Sequence, residues 1–172
     1  MTSIPENLIN LASKSPNVKA AVVCADQKSI LNDEEGNIVY VDMFQYHVEK
    51  KLFSSIGEVK VVDQKKNKYF FKELHVDTEK KEIIGSEVSV ILDQENFGVS
   101  QKNDPRFVAN DIFLSENKSN LSKGIFTVCQ KRDEKCPPWS LQAKKISHDK
   151  IKKTIYYENA TLKVYDVPIF YF

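Results

Sequence analysis

The sequence predicts an all-β fold, and three observations carry the prediction. Apolar residues alternate with polar ones in short runs and seldom recur at helical spacing. Only five glycines and six prolines punctuate 172 residues, so the runs between turns are long enough to be strands. A unit of strand, charged turn and strand recurs along the chain. A period of two places one side of each strand against a core and the other in water, the pattern of half-buried antiparallel strands.

Taken in order, Pro5–Ser13 is the helix candidate, with Leu8, Ile9 and Leu11 forming a short apolar face. Residues 1–30 otherwise form an unassigned N-terminal segment or a divergent first repeat, and residues 31–172 form one β domain. Asn37–Asp42, Tyr69–Leu74, Phe107–Leu114 and Gly124–Cys129 are rich in β-branched and aromatic residues and are bounded by polar turns. Val59 and Val61 alternate with Glu58 and Lys60, and Val88, Val90 and Leu92 with Glu87 and Ser89. Trp139, Leu141 and Ala143 alternate with polar neighbours, as do Leu162 and Val164. Pro137-Pro138 fixes an extended entry into the strand that begins at Trp139, which reads as a core tryptophan.

The repeat comprises HVEKKLFSSIGEVKVVD (His47–Asp63), HVDTEKKEIIGSEVSVILD (His75–Asp93) and HDKIKKTIYYENATLKVYD (His148–Asp166). Each unit opens on a histidine, passes through a charged turn and ends on an aspartate. The three histidines are expected at equivalent positions, and Gly57 and Gly85 at matching places in the first two units. Asp63, Asp93 and Asp166 read as strand-end turn residues that cap local backbone amides. The first two units lie about 28–30 residues apart, a spacing that fits stacked solenoid or jelly-roll architectures. Stacked units bury one face of every strand and leave an apolar interior with an open end, a geometry that suits a long apolar ligand. Val59, Val61, Val88, Val90, Leu141, Ala143, Leu162 and Val164 are the candidate lining residues.

Composition removes several function classes. Lys plus Arg total 25 and Asp plus Glu 24, so there is no basic nucleic-acid footprint. No apolar run approaches the roughly 20 residues of a membrane helix. The nearest approach to an export signal is VKAAVVCA at 18–25, which is short and weakly apolar. Neither a nucleophile elbow nor a glycine-rich phosphate loop occurs, which argues against an enzyme and against a bound cofactor. His148-Asp149 is the pair that would serve a β-solenoid hydrolase, the weakest of the alternatives. The cysteines are Cys24, Cys129 and Cys136. Cys129 and Cys136 bracket a polar loop and either close a local disulfide in an oxidising compartment or remain thiols. No histidine or second cysteine pair stands at zinc-finger spacing, so no metal is expected. Asn117 and Asn159 begin formal glycosylation triplets of a kind common by chance. The apolar run Val167–Phe172 leads us to expect further chain downstream.

The last third carries a resemblance. Cys129 and Cys136-Pro137-Pro138-Trp139-Ser140-Leu141-Gln142-Ala143, the turn Ile146-Ser147-His148-Asp149, the strand Lys153–Ala160 and Val167-Pro168-Ile169-Phe170-Tyr171 resemble, in that order, the end of the periplasmic domain of the LptD family. These are the outer-membrane lipopolysaccharide-assembly proteins, or organic solvent tolerance proteins, here of alphaproteobacterial type. The upstream repeats resemble the family's OstA-like units, so the likeness spans residues 30–172. The resemblance implies an OstA-like β-jellyroll or β-taco, an open V of stacked strands holding lipid A acyl chains. It implies a place at the periplasmic side of the outer membrane, receipt of lipopolysaccharide from a periplasmic bridge protein of similar fold by strand-edge stacking, and delivery to a barrel plugged by a lipoprotein. It implies no catalysis. Family cysteines form disulfides, and Cys129 and Cys136 fall where a cysteine belongs, with pairing to each other or to barrel cysteines both open. The chain departs from the family in lacking an evident signal peptide and the barrel, and so reads as a fragment. The alternative is a stand-alone bridge protein of the same fold.

Overall fold

The computed structural model describes residues 22–25, 29–32, 36–130 and 137–171. The helix candidate Pro5–Ser13 lies outside the described residues. Strands β1 (Val22–Ala25), β2 (Ser29–Asn32), β3 (Ile38–His47), β4 (Leu52–Val62), β5 (Lys68–Phe71), β6 (Glu73–Asp77) and β7 (Glu82–Ile91) are followed by one helical turn, α1 (Gln94–Phe97). Strands β8 (Arg106–Leu114), β9 (Lys118–Thr127), β10 (Trp139–Asp149), β11 (Thr154–Val164) and β12 (Val167–Tyr171) complete the chain. All belong to one 12-stranded antiparallel sheet in which successive rungs pair in chain order. Thus the fold is all-β, as its alternating pattern requires. β1 and β2 both pair with β3, and β5 and β6 are two halves of one rung lying between β4 and β7. The sheet therefore begins before residue 31.

A meander of this kind is a single layer, yet Val41, Phe44, Tyr46, Phe53, Val59, Phe71, Leu74, Val76, Val88 and Val90 form one buried cluster. The sheet achieves this by bending across its middle. Inward-facing residues stand two apart within each half of a strand but three apart at the bend: Val41 to Phe44, Phe71 to Leu74, Val88 to Gly85, Ala109 to Ile112, Gly124 to Leu121, Ala143 to Ile146 and Ala160 to Tyr157. In β4 the gap holds one residue more, and the β3–β4 register shifts there. The slip is produced by left-handed backbone at Gly57 (φ 93), Glu87 (φ 46), Lys123 (φ 49) and Asn159 (φ 52) on alternate rungs. Such a residue re-aims the next side chain and increases local bending, as bulges do. A crease thus crosses the whole sheet. We call the half holding Val59 and Val61 the first arm, and the half ending in the β3–β4 turn the second.

The repeat is this creased hairpin. Turns Val48–Lys51, Thr78–Lys81 and Lys150–Lys153 each close on a lysine in the left-handed region, with φ of 51, 57 and 52. Gly57, Glu87 and Asn159 follow those lysines by six residues in every case. The expected match of Gly57 with Gly85 is therefore corrected, because Glu87 is the equivalent of Gly57. Gly85 is small for a different reason: a Cβ there would lie 2.6 Å from Phe71 Cδ1 and 3.2 Å from Ile112 Cγ2. The histidines are not equivalent either. In register His148 faces Ser119 and Ile155 on the inner side, whereas His75 lies opposite Ser54 and Ile84 on the outer side. Counting back from the turn lysines, His47 occupies the place of Asp77 and Asp149.

Neither of those two aspartates was expected as a turn cap. Asp77 Oδ1 accepts from the amides of Glu79 and Lys80 at 3.1 and 2.9 Å, and Asp149 Oδ1 from Ile151 and Lys152 at 3.1 and 2.9 Å. Ile146–Asp149 accordingly ends a strand and caps the turn that follows. The run Tyr69–Leu74 is likewise broken at Lys72, where Leu74 N donates to the buried Ser55 Oγ at 2.7 Å in place of a ladder bond. Asp63 fulfils its expected capping role, accepting from Asn67 N at 2.9 Å, while Asp166 instead meets Lys163 Nζ at 3.1 Å.

Gly85→Ala is expected to lower stability by about 1–3 kcal/mol, because the buried Phe71 ring has no room to retreat. Gly98→Ala, where no atom lies within 4 Å, meets only the backbone penalty of a positive φ. Urea midpoints of the two variants should show the larger loss at Gly85. The Asp149 carboxyl is held below its ordinary value of 3.8 chiefly by the Lys152 amide, and Asp77 likewise by the Lys80 amide. Their contribution to stability is full above 3.8 and disappears as pH falls through the depressed native values. Amide shifts of Lys80 and Lys152, followed by NMR during acidification, should move only below pH 3.8.

Candidate functional site

All the lining candidates named from the sequence share one face. Val61 pairs with Tyr69 and Tyr69 with Val90; Val90 continues to Phe107, Phe126, Leu141, Leu162 and Phe170. Beside the crease a second row passes through Val41, Val59, Phe71, Val88, Ala109, Gly124, Ala143 and Ala160. Val164 stands opposite Trp139 at the first arm's end. Every candidate belongs to the first arm. The facing wall was missed: Phe53, Ile83, Ile112, Leu121, Ile146 and Tyr157 on the second arm. A polar doublet flanked by apolar or small residues marks the slip in the sequence, as in Lys144-Lys145 between Ala143 and Ile146, and would have located it.

Side-chain size falls along the crease row. Valine and phenylalanine occupy it up to β7, and alanine or glycine from β8 onward. At the large end the interior is filled, with Val59 and Val88 only 1% and 2% exposed. At Gly124 the two walls meet, since a Cβ there would lie 2.6 Å from Ile146 Cδ1 and 3.2 Å from Phe107 Cε2. Beyond Ala160 the inner face is open to solvent: Ile155, Tyr157 and Phe170 are 49%, 47% and 58% exposed. The interior is therefore a tapering apolar trough, closed at β3–β7 and open at β11–β12. Desolvating an acyl methylene in such a trough is worth about 0.8 kcal/mol.

The first arm's end is covered by aromatics. Phe97 of α1 approaches Phe126 at 6.1 Å between centroids, and Phe126 meets Trp139 edge-on at 6.1 Å. Cys129 is a half-buried free thiol whose Sγ lies 4.0 Å from the Trp139 carbonyl, and Arg106 Nη1 donates to the Cys129 carbonyl at 2.7 Å. Cys136, its expected neighbour in a disulfide, and Cys24's side chain lie outside the described residues. No three metal-ligating side chains converge among the described residues. Asp149 Oδ1 accepts from the turn amides, and as consecutive residues of β10 His148 and Asp149 point to opposite faces of the sheet. On the outer face a hollow of about 430 Å³ is lined by Ile84, Phe113, Asn120, Lys145 and Glu158.

One polar group reaches the inner face of the first arm. Tyr69 Oη donates to Asp63 Oδ2 at 2.9 Å, and Asn67 Nδ2 donates to the same oxygen at 2.8 Å. Burial first, and the Asp63 carboxylate second, push the Tyr69 hydroxyl up to about 12. No family model matches the chain, and no curated protein matches it.

Because the Tyr69 value is raised above the ordinary 10.0, the stabilisation is full below pH 10 and is lost as pH rises toward 12. An ultraviolet phenolate titration of the folded chain should show one tyrosine ionising late, and Tyr69→Phe should remove that component. Its ionisation together with the other tyrosines would contradict the assignment.

Proposed function

We propose that the chain is a periplasmic lipopolysaccharide-binding and transfer domain of the OstA-like β-jellyroll type. The observation that carries the reading is the trough, an apolar inner face broken on the second arm by Ser119 and His148, whose crease row shrinks from valine to alanine and whose last rungs stand open. A ligand with several long acyl chains matches it, since the open wall offers Leu141, Ile146, Tyr157, Leu162 and Phe170 as contacts of no fixed polarity or register. The order of the terminal motifs supports lipopolysaccharide over other lipids, together with a place at the outer membrane. In this reading a bridge protein of similar fold adds a strand on the edge of β11 that β12 leaves unpaired, and acyl chains enter the trough at that open end.

Photocrosslinking amino acids at Leu141, Tyr157 and Leu162 should each capture lipopolysaccharide added to the purified chain. The same residue at Tyr156 or Lys145, on the outer face, should capture little, and Val59 and Val88 should be silent because the trough is filled there. Labelling confined to the outer positions, or none anywhere, would refute the proposal.

A further inference from the structure

Turn for turn, the hairpins of the repeat can be compared within the molecule. The second turn residue is Glu49 in the β3–β4 hairpin and Glu79 in the β6–β7 hairpin, but Ile151 in the β10–β11 hairpin. The first is Val48 or Thr78 in those hairpins and Lys150 here, while the third and fourth are lysines throughout. Ile151 is 72% exposed at the tip of this hairpin. Below it β11 carries Ile155, Tyr156 and Tyr157, all exposed, on a stretch paired to β10 along one edge and to no described strand along the other, because β12 reaches only to Thr161. The corresponding residues of β4, Phe53, Ser54 and Ser55, are buried or half-buried inside the sheet.

The tip is also braced. Lys150 Nζ donates to the Ser115 carbonyl at 2.7 Å, Lys150 N to the Asn117 carbonyl at 2.9 Å, and Asp149 fixes the amides of Ile151 and Lys152. Lys152, Lys153 and the neighbouring Lys118 are exposed around it. A rigid turn with an aliphatic point, a lysine collar and tyrosines just behind has the composition of an interfacial anchor. Lysine stems lie along apolar surface with their ammonium groups at phosphates, and tyrosine rings sit at the headgroup level.

We infer that the β10–β11 hairpin tip docks on an anionic lipid surface, Ile151 entering the interface and Lys152 and Lys153 meeting headgroup phosphates. A strand partner added to the β11 edge would use the ladder of 154–160 and leave the tip, which lies beyond that ladder, unaccounted for. A second copy of the same tip would bring like charges together. The inference stands apart from the trough and requires no ligand within it.

Flotation of the full chain with vesicles tests it. The chain should float with vesicles of phosphatidylcholine and phosphatidylglycerol, less at high salt, and not with phosphatidylcholine alone. Lys152→Gln and Lys153→Gln should each weaken binding about fivefold. Ile151→Ser should weaken it about tenfold. Lys50→Gln and Lys80→Gln, at equivalent turns without the aliphatic point, should leave it unchanged. Circular dichroism of each variant checks that the exposed substitutions leave the sheet intact. No flotation, equal flotation on both vesicle types, equal loss from both pairs of lysines, or self-association abolished by Ile151→Ser without vesicle binding would each overturn the inference.

Discussion

The structure depends on one constraint: a single antiparallel layer must bury one of its own faces. Among the described residues no second sheet or long helix covers the apolar side, and uncovered it would expose Phe44, Phe53, Val59, Phe71 and Val88 together. Packing two halves of the same face against each other removes that area from water. Every rung must then bend at the same height. A left-handed residue on each alternate rung provides the bend, with Lys72 breaking the rung between β4 and β7. The ion pair of Lys72 with Glu87 joins neighbouring rungs along the crease but is exposed on both sides, 60% and 65%, and contributes little. Buried contacts such as Phe71 over Gly85, and the Ser55 acceptor for Leu74 N, hold the bend instead.

The same slip explains what was legible in the sequence. Alternation revealed the fold class, the strand halves around Val59, Val88, Trp139 and Leu162, and their common face. It failed at mid-strand, because the inward positions jump from two apart to three and the run beyond reads as out of phase. Most strands were therefore recovered as their first-arm halves, Phe107–Leu114 being read through the bend, and Ile146 through Asp149 was taken for a turn. The repeat was visible for a related reason, since identical bends need the same spacing from turn lysine to crease residue. Its alignment was misplaced because histidine and glycine attract the eye, whereas φ belongs to positions and is filled by Gly57, Glu87 and Asn159 alike. Ile151 stood in plain view but became informative only when the turns could be superposed.

Tight packing and openness are distributed along the sheet instead of being averaged over it. From β3 to β7 large side chains fill the crease, so this end supplies most of the burial and resists entry. From β8 onward the crease row is alanine and glycine, and the walls close over it through Phe107, Leu121 and Ile146. Small residues at the bend permit that approach, and they also make the space between the walls depend on movable side chains. Stability at one end thus supports adaptability at the other, since the rungs are continuous through paired backbone.

The open end carries a hazard that its own sequence limits. β12 exposes Val167, Ile169, Phe170 and Tyr171, and an apolar strand at a sheet edge invites indiscriminate pairing. Pro168 removes a donor from this edge, and the β11–β12 register shifts between Leu162 and Lys163, so a flat template is not presented. Lys152 and Lys153 add like charge at the hairpin end of the same margin. These devices oppose strand addition by a second copy while leaving the apolar side chains exposed. With pairing discouraged at β12, the contacts proposed there are those of its side chains, and strand addition falls to the edge of β11 that β12 leaves unpaired.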